Sequence, residues 1–486
     1  MTQIWATSPE PGSDLHLDLD LNLTRGPAGP AGGVRAALIR ALREAVRTGR
    51  LAPGMRLPSS RTLAADLGLA RNTVADAYGE LVAEGWLSAR QGSGTRVAQR
   101  TLPGRTTTAR PAVQRPEATH NLHAGSPDLS SFPRAAWAAA GRRALANAPA
   151  EAFGYGDPRG RVELRQALTD YLARARGVRT DPERIVICEG FAQGAALLGR
   201  VLRRLESERS GTPRHLAVES YGLGFHRDLL TADGLRTVPL TVDRLGAATP
   251  ELASMPDVGA VLLTPAHQFP TGVPLDPERR TAVVEWARDV DGLVLEDDYD
   301  GEFRYDRQPV GALQGLDPER VAYLGTASKS LAPALRLGWM VLPGRLVDEV
   351  LAAKTQAERH PASLNQLVLA EFITSGAYDR HVRAMRLRYR RRRDRLVAAL
   401  AERAPAVEVS GIAAGLHAVL RLPPGTEDDA LHGAAWLGLA VQGLDEFRHP
   451  AVPAAGDAAL VVGYGTPPEH GFSAALDALC QALEAI

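Results

Sequence analysis

From about residue 119 onward, short apolar runs alternate with amphipathic helical stretches, and no other feature of this chain narrows its fold as far. The runs are Ile185–Cys188, His215–Glu219, 260–264, 293–297 and 321–324, with helices predicted from about Gly194, Gly224 and Pro277. Parallel strands can be joined only by a crossover long enough to hold a helix, so this alternation predicts an α/β unit around a largely parallel sheet. After a long arginine-rich helix over 378–403 the pattern changes. The runs 407–410, 417–422 and 460–464 read as strands of a smaller C-terminal α+β subdomain.

A chain of 486 residues is several times the usual domain length and must hold at least two domains. Residues 1–30 are polar and rich in proline and glycine, and read as a flexible leader. Residues 31–98 form a compact basic unit, and 99–118, with no apolar pattern, read as a linker to the domain at 119–486. Charge is balanced over the whole chain. Residues 31–100, however, carry 11 arginines against five acids, and a local cationic excess is what a polyanionic partner meets. Cys188 and Cys480 are too few and too far apart for a disulfide framework or a metal-site spacing, so no metal is expected. No cationic-then-apolar leader and no run of ~18 apolar residues occurs, which points to the cytoplasm and no membrane partner.

Within the basic unit, a helix over 34–48 runs into the turn Gly49-Arg-Leu-Ala-Pro-Gly54. Leu57-Pro-Ser-Ser60 supplies a serine cap, 61–67 reads as a helix, Gly68 ends it, and a second helix starts near Arg71 after about three residues. That is helix-turn-helix spacing. Gly85-Trp-Leu-Ser-Ala-Arg-Gln-Gly-Ser-Gly-Thr-Arg-Val97 then reads as a β-hairpin wing. The stretch 51–97 closely resembles the winged helix-turn-helix of GntR-type transcription regulators. The resemblance implies that Arg61, Arg71, Asn72 and Thr73 face double-stranded DNA and that Arg90, Gly92, Ser93, Gly94 and Thr95 form a wing in the minor groove. Arginines suit phosphate and bidentate guanine contacts, and short polar side chains at a helix start reach base edges.

Of 56 basic residues only two are lysine, Lys329 and Lys354. Arginine stays protonated at every accessible pH, whereas a desolvated lysine can lose its proton and act as an amine nucleophile. Lys329 lies among small and hydroxyl-bearing residues, Gly325-Thr-Ala-Ser-Lys-Ser-Leu-Ala-Pro-Ala-Leu-Arg-Leu-Gly338, which leave room for a ligand; Lys354 reads as a solvated surface lysine. About 30 residues upstream, Leu293-Val-Leu-Glu-Asp-Asp-Tyr-Asp300 is an apolar strand that ends abruptly in acids. In open α/β sheets ligands sit at the carboxyl ends of strands, so acids there face a cleft.

These residues closely resemble fold-type I pyridoxal-phosphate aminotransferases, and the resemblance covers most of 119–486. It implies a Schiff base at Lys329, Asp297 on the pyridine nitrogen, Tyr299 on the ring hydroxyl, and Thr326, Ser328 and Arg336 on the phosphate. Gly190, Phe191 and Ala192 resemble the family's phosphate-cradling turn at a helix start. Tyr155, in Tyr-Gly-Asp-Pro-Arg-Gly160, matches a tyrosine that reaches the partner subunit's phosphate and implies a homodimer. His267, in Thr264-Pro-Ala-His-Gln-Phe-Pro-Thr-Gly272, lies in a loop like the family's, with Phe269 where many members place a ring-contacting asparagine. The arginine run 383–395 reads as a solvated helix face.

Reader, linker and aminotransferase-like domain, in that order, resemble the MocR subfamily of bacterial regulators. The implied function is a transcription factor that senses pyridoxal phosphate or an amino compound at Lys329, as a homodimer whose readers pack on the other subunit. The competing reading is a working aminotransferase with an appended reader. Against it, no arginine or lysine follows Arg448, where such enzymes clamp a carboxylate, and the segment Ala459-Leu-Val-Val-Gly-Tyr464 is apolar. Arg304, Arg307 and Arg421 are the alternatives for that clamp. The stacking aromatic expected after Glu219 falls on Leu223, unless Tyr221 takes its place.

Overall fold

The computed structural model describes residues 33–90, 94–99, 118–210, 215–232, 234–305, 310–453, 458–484 and 486. The leader 1–30, most of the linker 99–118, and Gly92, Ser93 and Arg307 lie outside them. The chain divides into two compact units, Met1–Arg115 and Pro116–Ile486.

In the first unit, α1 (Gly33–Arg47) and α2 (Ser60–Leu67) both pack against α3 (Arg71–Ala83), which is followed by the antiparallel pair β1 (Leu87–Arg90) and β2 (Gly94–Val97). Ser59 Oγ accepts the Thr62 amide at 3.1 Å and so caps α2. Gly68, at φ +64°, takes the left-handed conformation that ends it. Leu38, Leu42, Leu63, Val74, Leu81, Leu87 and Val97 close one core.

The second unit holds a seven-stranded sheet: β3 (Ile185–Cys188), β4 (His215–Glu219), β5 (Thr237–Leu240), β6 (Val258–Leu263), β7 (Leu293–Asp298), β8 (Val321–Thr326) and β9 (Gly338–Val341). Their spatial order is β3-β9-β8-β7-β6-β4-β5, and only β9 runs antiparallel to its neighbours. Alternate residues of β3 feed two different layers: Ile185 and Ile187 pack with helices Val162–Arg176 and Leu364–Thr374, Val186 and Cys188 with Phe191–Ser210 and Gly344–Ala357. Burial on both faces is why these strands read as unbroken apolar runs. The helix predicted from Gly194 starts three residues earlier, at Phe191, because Gly190 turns the chain at φ +88° directly after β3. A four-stranded antiparallel sheet, β10 (Glu408–Ser410), β11 (Ala418–Arg421), β12 (Gln442–Gly443) and β13 (Ala459–Val462), forms the C-terminal subdomain.

Two expectations need correction. Lys354 is not solvated: its side chain is fully buried and paired with Glu358. It follows Leu346 and Val350 at four-residue intervals, so the apolar face of helix Gly344–Ala357 carries it inward. The arginine face of helix Ala377–Arg403 is also not wholly solvated. Arg392 is buried against Asp128 (2.9 Å) and Glu469 (2.8 Å), while Arg383, Arg390 and Arg395 are exposed. No helix among the described residues is long and apolar enough to cross a membrane.

Candidate functional site

A cavity of about 220 Å³ opens at the carboxyl ends of β3, β4, β6, β7 and β8. It is lined by Gly190, Phe191, Ala192, Asp297, Tyr299, Thr326, Ser328, Lys329 and Arg336, so nine sequence-predicted residues meet there. Strand register explains the convergence. Thr326 lies beside Gly338 of β9, and Gly338 beside Cys188 of β3, which brings the Gly190 turn to the end of β8. A Cβ on Gly190 would stand 4.0 Å from both the Thr326 and Ser328 hydroxyls. Those hydroxyls are 2.9 Å apart, and the Ser328 amide donates to Thr326 Oγ1 at 3.1 Å. Hydroxyls and the free amides of a long helix's first turn form a donor set for an anion.

Lys329 Nζ donates to Gly125 O at 2.5 Å. Burial lowers its pKa from the usual lysine value, against the opposing pull of Asp297 and Asp300. Burial likewise pushes the Asp297 carboxyl well above its ordinary range, although Lys329 pulls it down. No described residue hydrogen-bonds that carboxylate, so a buried acceptor is left facing the cavity. Tyr299 Oη donates to His267 O at 3.0 Å and lies 3.1 Å from His267 Nδ1, which is 2.8 Å from Asp300 Oδ2. With His417 these make three buried ligand-type side chains within 4.8 Å, a grouping the sequence spacing does not reveal. A buried lysine amine, a buried acid, a phenol and an anion cradle in one cavity fit pyridoxal phosphate by the chemistry of the donors.

Tyr155 does not line this cavity; it is 77% exposed, with the Arg359 guanidinium 4.3 Å over its ring. Phe269 lines the cavity, packed edge-on to Tyr299. Leu223 and Tyr221 both reach it, yet the ring that stacks there, against Phe191 at 4.2 Å between centroids, is His226. Neither Arg304 nor Arg421 reaches the cavity, whereas Arg227 does. Sequence reasoning missed Glu219, His226, Arg227 and Gly125. Glu219 carried a signal, since it ends an apolar strand as Asp297 does; burial raises its pKa to about 7, against hydrogen bonds from Thr264 and Gln268. His226 and Arg227 carried none, being ordinary residues of a short helix.

In the first unit, Arg61, Arg71, Asn72, Arg90 and Gly94 are exposed and Thr73 and Thr95 half-buried. Arg71 and Asn72 open α3, where no side chain caps the first amides. Arg90 and Gly94 close the wing pair, and Gly92 and Ser93 lie outside the described residues.

A winged helix-turn-helix unit and a unit of aminotransferase fold together define a class: a DNA-binding regulator built on an enzyme scaffold. The aminotransferase class I and II family matches residues 119–432, and the bacterial regulatory proteins of the gntR family match 35–97. The chain is 32% identical to the HTH-type pyridoxine biosynthesis transcriptional regulator PdxR of Corynebacterium glutamicum, over 93% of this chain and 96% of that one. It is 34% identical to the probable rhizopine catabolism regulatory protein MocR of Rhizobium meliloti, over 82% and 83%. Among solved structures, an archaeal alanine:glyoxylate aminotransferase covers 75% of this chain and 91% of its own, at a TM-score of 0.68 and 25% identity. The chain belongs to the GntR-type transcription regulators of the MocR and PdxR kind, which carry an aminotransferase class I and II domain. The gntR unit implies DNA binding, and the second unit's fold is one of pyridoxal-phosphate dependence.

Proposed function

We propose that this regulator holds pyridoxal phosphate at Lys329 and uses it to sense the cofactor itself or an amino compound, changing how its wings meet an operator. The observation that carries the reading is the convergence of Lys329, Asp297, Tyr299, Thr326 and Ser328 on one cavity. Asp297 would hold the ring nitrogen, Tyr299 the ring oxygen, and Thr326, Ser328 and the Gly190-Phe191-Ala192 turn the phosphate, with Arg336 at the rim. Bound there, the cofactor supplies an aldehyde carbon open to a primary amine and a ring that withdraws electrons. Burial of the Lys329 amine favours its uncharged form over that of a solvated lysine, and the uncharged form is the one that can bond to carbon.

The reader would use Arg61, Arg71, Asn72 and Thr73 in the major groove and Arg90 with residues 92–95 in the minor groove. Two copies would place two readers on one operator, each joined through residues 99–118 to a large domain that borrows the partner's Tyr155. Occupancy of the cavity then biases reader spacing only so far as the ligand prefers one arrangement. An apolar, fully buried β13 in place of a carboxylate-clamping arginine supports a sensor over an enzyme that turns over amino acids. The test is binding of the purified protein to its own upstream DNA at one stated salt concentration, with and without pyridoxal phosphate. A specific complex whose affinity or footprint shifts with the cofactor is expected; no specific complex, with cofactor still bound, would favour the aminotransferase reading.

A further inference from the structure

Ser330, the residue after Lys329, does not line the cavity; it is buried against helix Ala377–Arg403. The start of that helix holds both of its polar groups. Tyr378 Oη lies 2.8 Å from Ser330 Oγ, and His381 Nε2 lies 2.9 Å from Ser330 O. A carbonyl can only accept, so the ring hydrogen sits on Nε2. Tyr378 Oη also lies 3.2 Å from Glu302 Oε1, and the exposed Arg386, on the same helix, donates to Glu302 O from Nε at 2.9 Å and Nη2 at 2.6 Å. A phenylalanine at 378 would fill nearly the same space without burying a hydroxyl against a carboxylate, groups that are costly to desolvate. Packing alone does not call for this polar chain, whereas fixing the peptide that carries Lys329 does.

We infer that Tyr378 and His381 are positioning residues for Lys329, fixing Ser330 so that the amine is aimed, and that helix Ala377–Arg403 carries the bonding state of Lys329 to the C-terminal subdomain. The inference rests on the reading of Lys329 given above. The helix runs between two cores. Tyr378 and Val382 pack with Ala327 and Leu331, which flank the Lys329 peptide, while Met385, Tyr389, Leu396 and Leu400 pack with Leu420 of β11 and Val462 of β13. Its second half also holds Asp128, whose amide donates to Tyr389 Oη at 3.0 Å and whose carboxylate accepts from Arg392 at 2.9 Å. Asp128 lies in the same segment as Gly125, the acceptor of the Lys329 amine. When the uncharged amine adds to the cofactor's aldehyde carbon and water leaves, its nitrogen gives up two hydrogens, and with them its bond to Gly125 O. Both segments that meet Lys329 therefore end on one helix, at two places along it. Packed elements of this kind carry coupling, as far as their contacts differ between the free and the bonded amine.

The experiment mixes cofactor-free, full-length protein with saturating pyridoxal phosphate and follows the rate at which the visible band forms. It compares the unaltered protein with Tyr378→Phe, His381→Leu and His381→Gln, the last of which keeps a side-chain N–H near the Nε2 position. The rate is expected to fall about tenfold in Tyr378→Phe and His381→Leu, the effect of one buried hydrogen bond, and to recover in His381→Gln. A loss of stability alone would leave the rate of the folded protein unchanged. Amide hydrogen exchange tests the second half of the inference. On cofactor binding to the unaltered protein, exchange over 386–403 is expected to change more than in helix Pro277–Asp289, which holds neither Ser330 nor Asp128, and that excess falls in His381→Leu. Equal rates in all four proteins, an equal loss with leucine and glutamine, or no excess over 386–403 overturns the inference. Should His381→Leu fail to fold, Tyr378→Phe and exchange in the unaltered protein still decide. Absence of any visible band in the unaltered protein would instead overturn the reading of Lys329.

Discussion

Gly338 lies so close to Gly190 that a Cβ on Gly338 would stand 2.6 Å from the Gly190 Cα, nearer than two such carbons can approach. The three nearest atoms it would meet all belong to the backbone of Gly190, in the turn between β3 and helix Phe191–Ser210. Gly338→Ala must therefore push that turn away from Thr326 and Ser328. Overpacking of this kind costs ~1–3 kcal/mol. The expected outcome is a lower melting temperature and weaker pyridoxal phosphate binding, measured by thermal unfolding and by equilibrium titration. Unchanged affinity would remove the Gly190 turn from the phosphate site.

Lysine scarcity makes the covalent site directly testable. Lys329 and Lys354 are the chain's two lysines, and Lys354 is buried on a helix with Glu358 as its partner. Borohydride treatment of the loaded protein, followed by peptide mapping, is expected to fix the cofactor on Lys329 and not on Lys354. Lys329→Ala should lose both the label and the visible band, and a label recovered on Lys354 would sink the assignment.

The large sheet was legible because its strands are buried on both faces, so Ile185–Cys188, His215–Glu219 and the ends of β7 and β8 stand out as apolar runs closed by polar residues. Asp297 was legible for the same reason, since an acid at a strand's carboxyl end interrupts such a run, and Lys329 because lysine is scarce and its neighbours are small. β9 was missed because it is short and set off only by Gly338, and Pro239 within β5 hid that edge strand. His226 and Arg227 belong to the site through the packing of an eight-residue helix, which leaves no periodic mark. Lys354 and Arg392 were misjudged because charged residues are buried only when a partner waits, and those partners are supplied by the fold.

For the reader, Arg71 occupies the first turn of α3, exposed, at a helix start without a side-chain cap. Arg71→Ala is expected to weaken binding to the operator and leave the cofactor's absorbance as it was. Repeating the titration across salt concentrations separates two roles. Loss of a phosphate contact lowers the slope of log affinity against log salt by about 1 and weakens all sequences alike, whereas loss of a base contact costs ~1–3 kcal/mol on the operator alone. Normal operator binding at every salt concentration would take α3 out of the interface.

Asp128 and Arg392 form a buried pair, 2.9 Å apart with side chains at most 2% exposed, and the segment that carries Asp128 also carries Gly125, the acceptor of Lys329. Arg392 further donates to Pro467 O and Glu469, and Ser130 and Ser131 donate to Asp128. Burial alone would raise the Asp128 pKa, but the serines and Arg392 outweigh it and hold the carboxyl below its ordinary value. Such a group contributes its full stability above the unfolded value, near pH ~4, and loses it as pH falls through the lower folded value. Arg392→Met leaves the buried Asp128 with only the half-exposed Arg388, 3.7 Å away, as its counter-charge and should cost about 3 kcal/mol in denaturant unfolding. Asp128→Asn should lower stability at neutral pH while flattening the decline below pH ~4 relative to the unaltered protein. Because the same segment covers Lys329, both variants should also release pyridoxal phosphate faster. Acid-unfolding curves that run parallel for the unaltered protein and Asp128→Asn would show that this pair does not govern the response to acid.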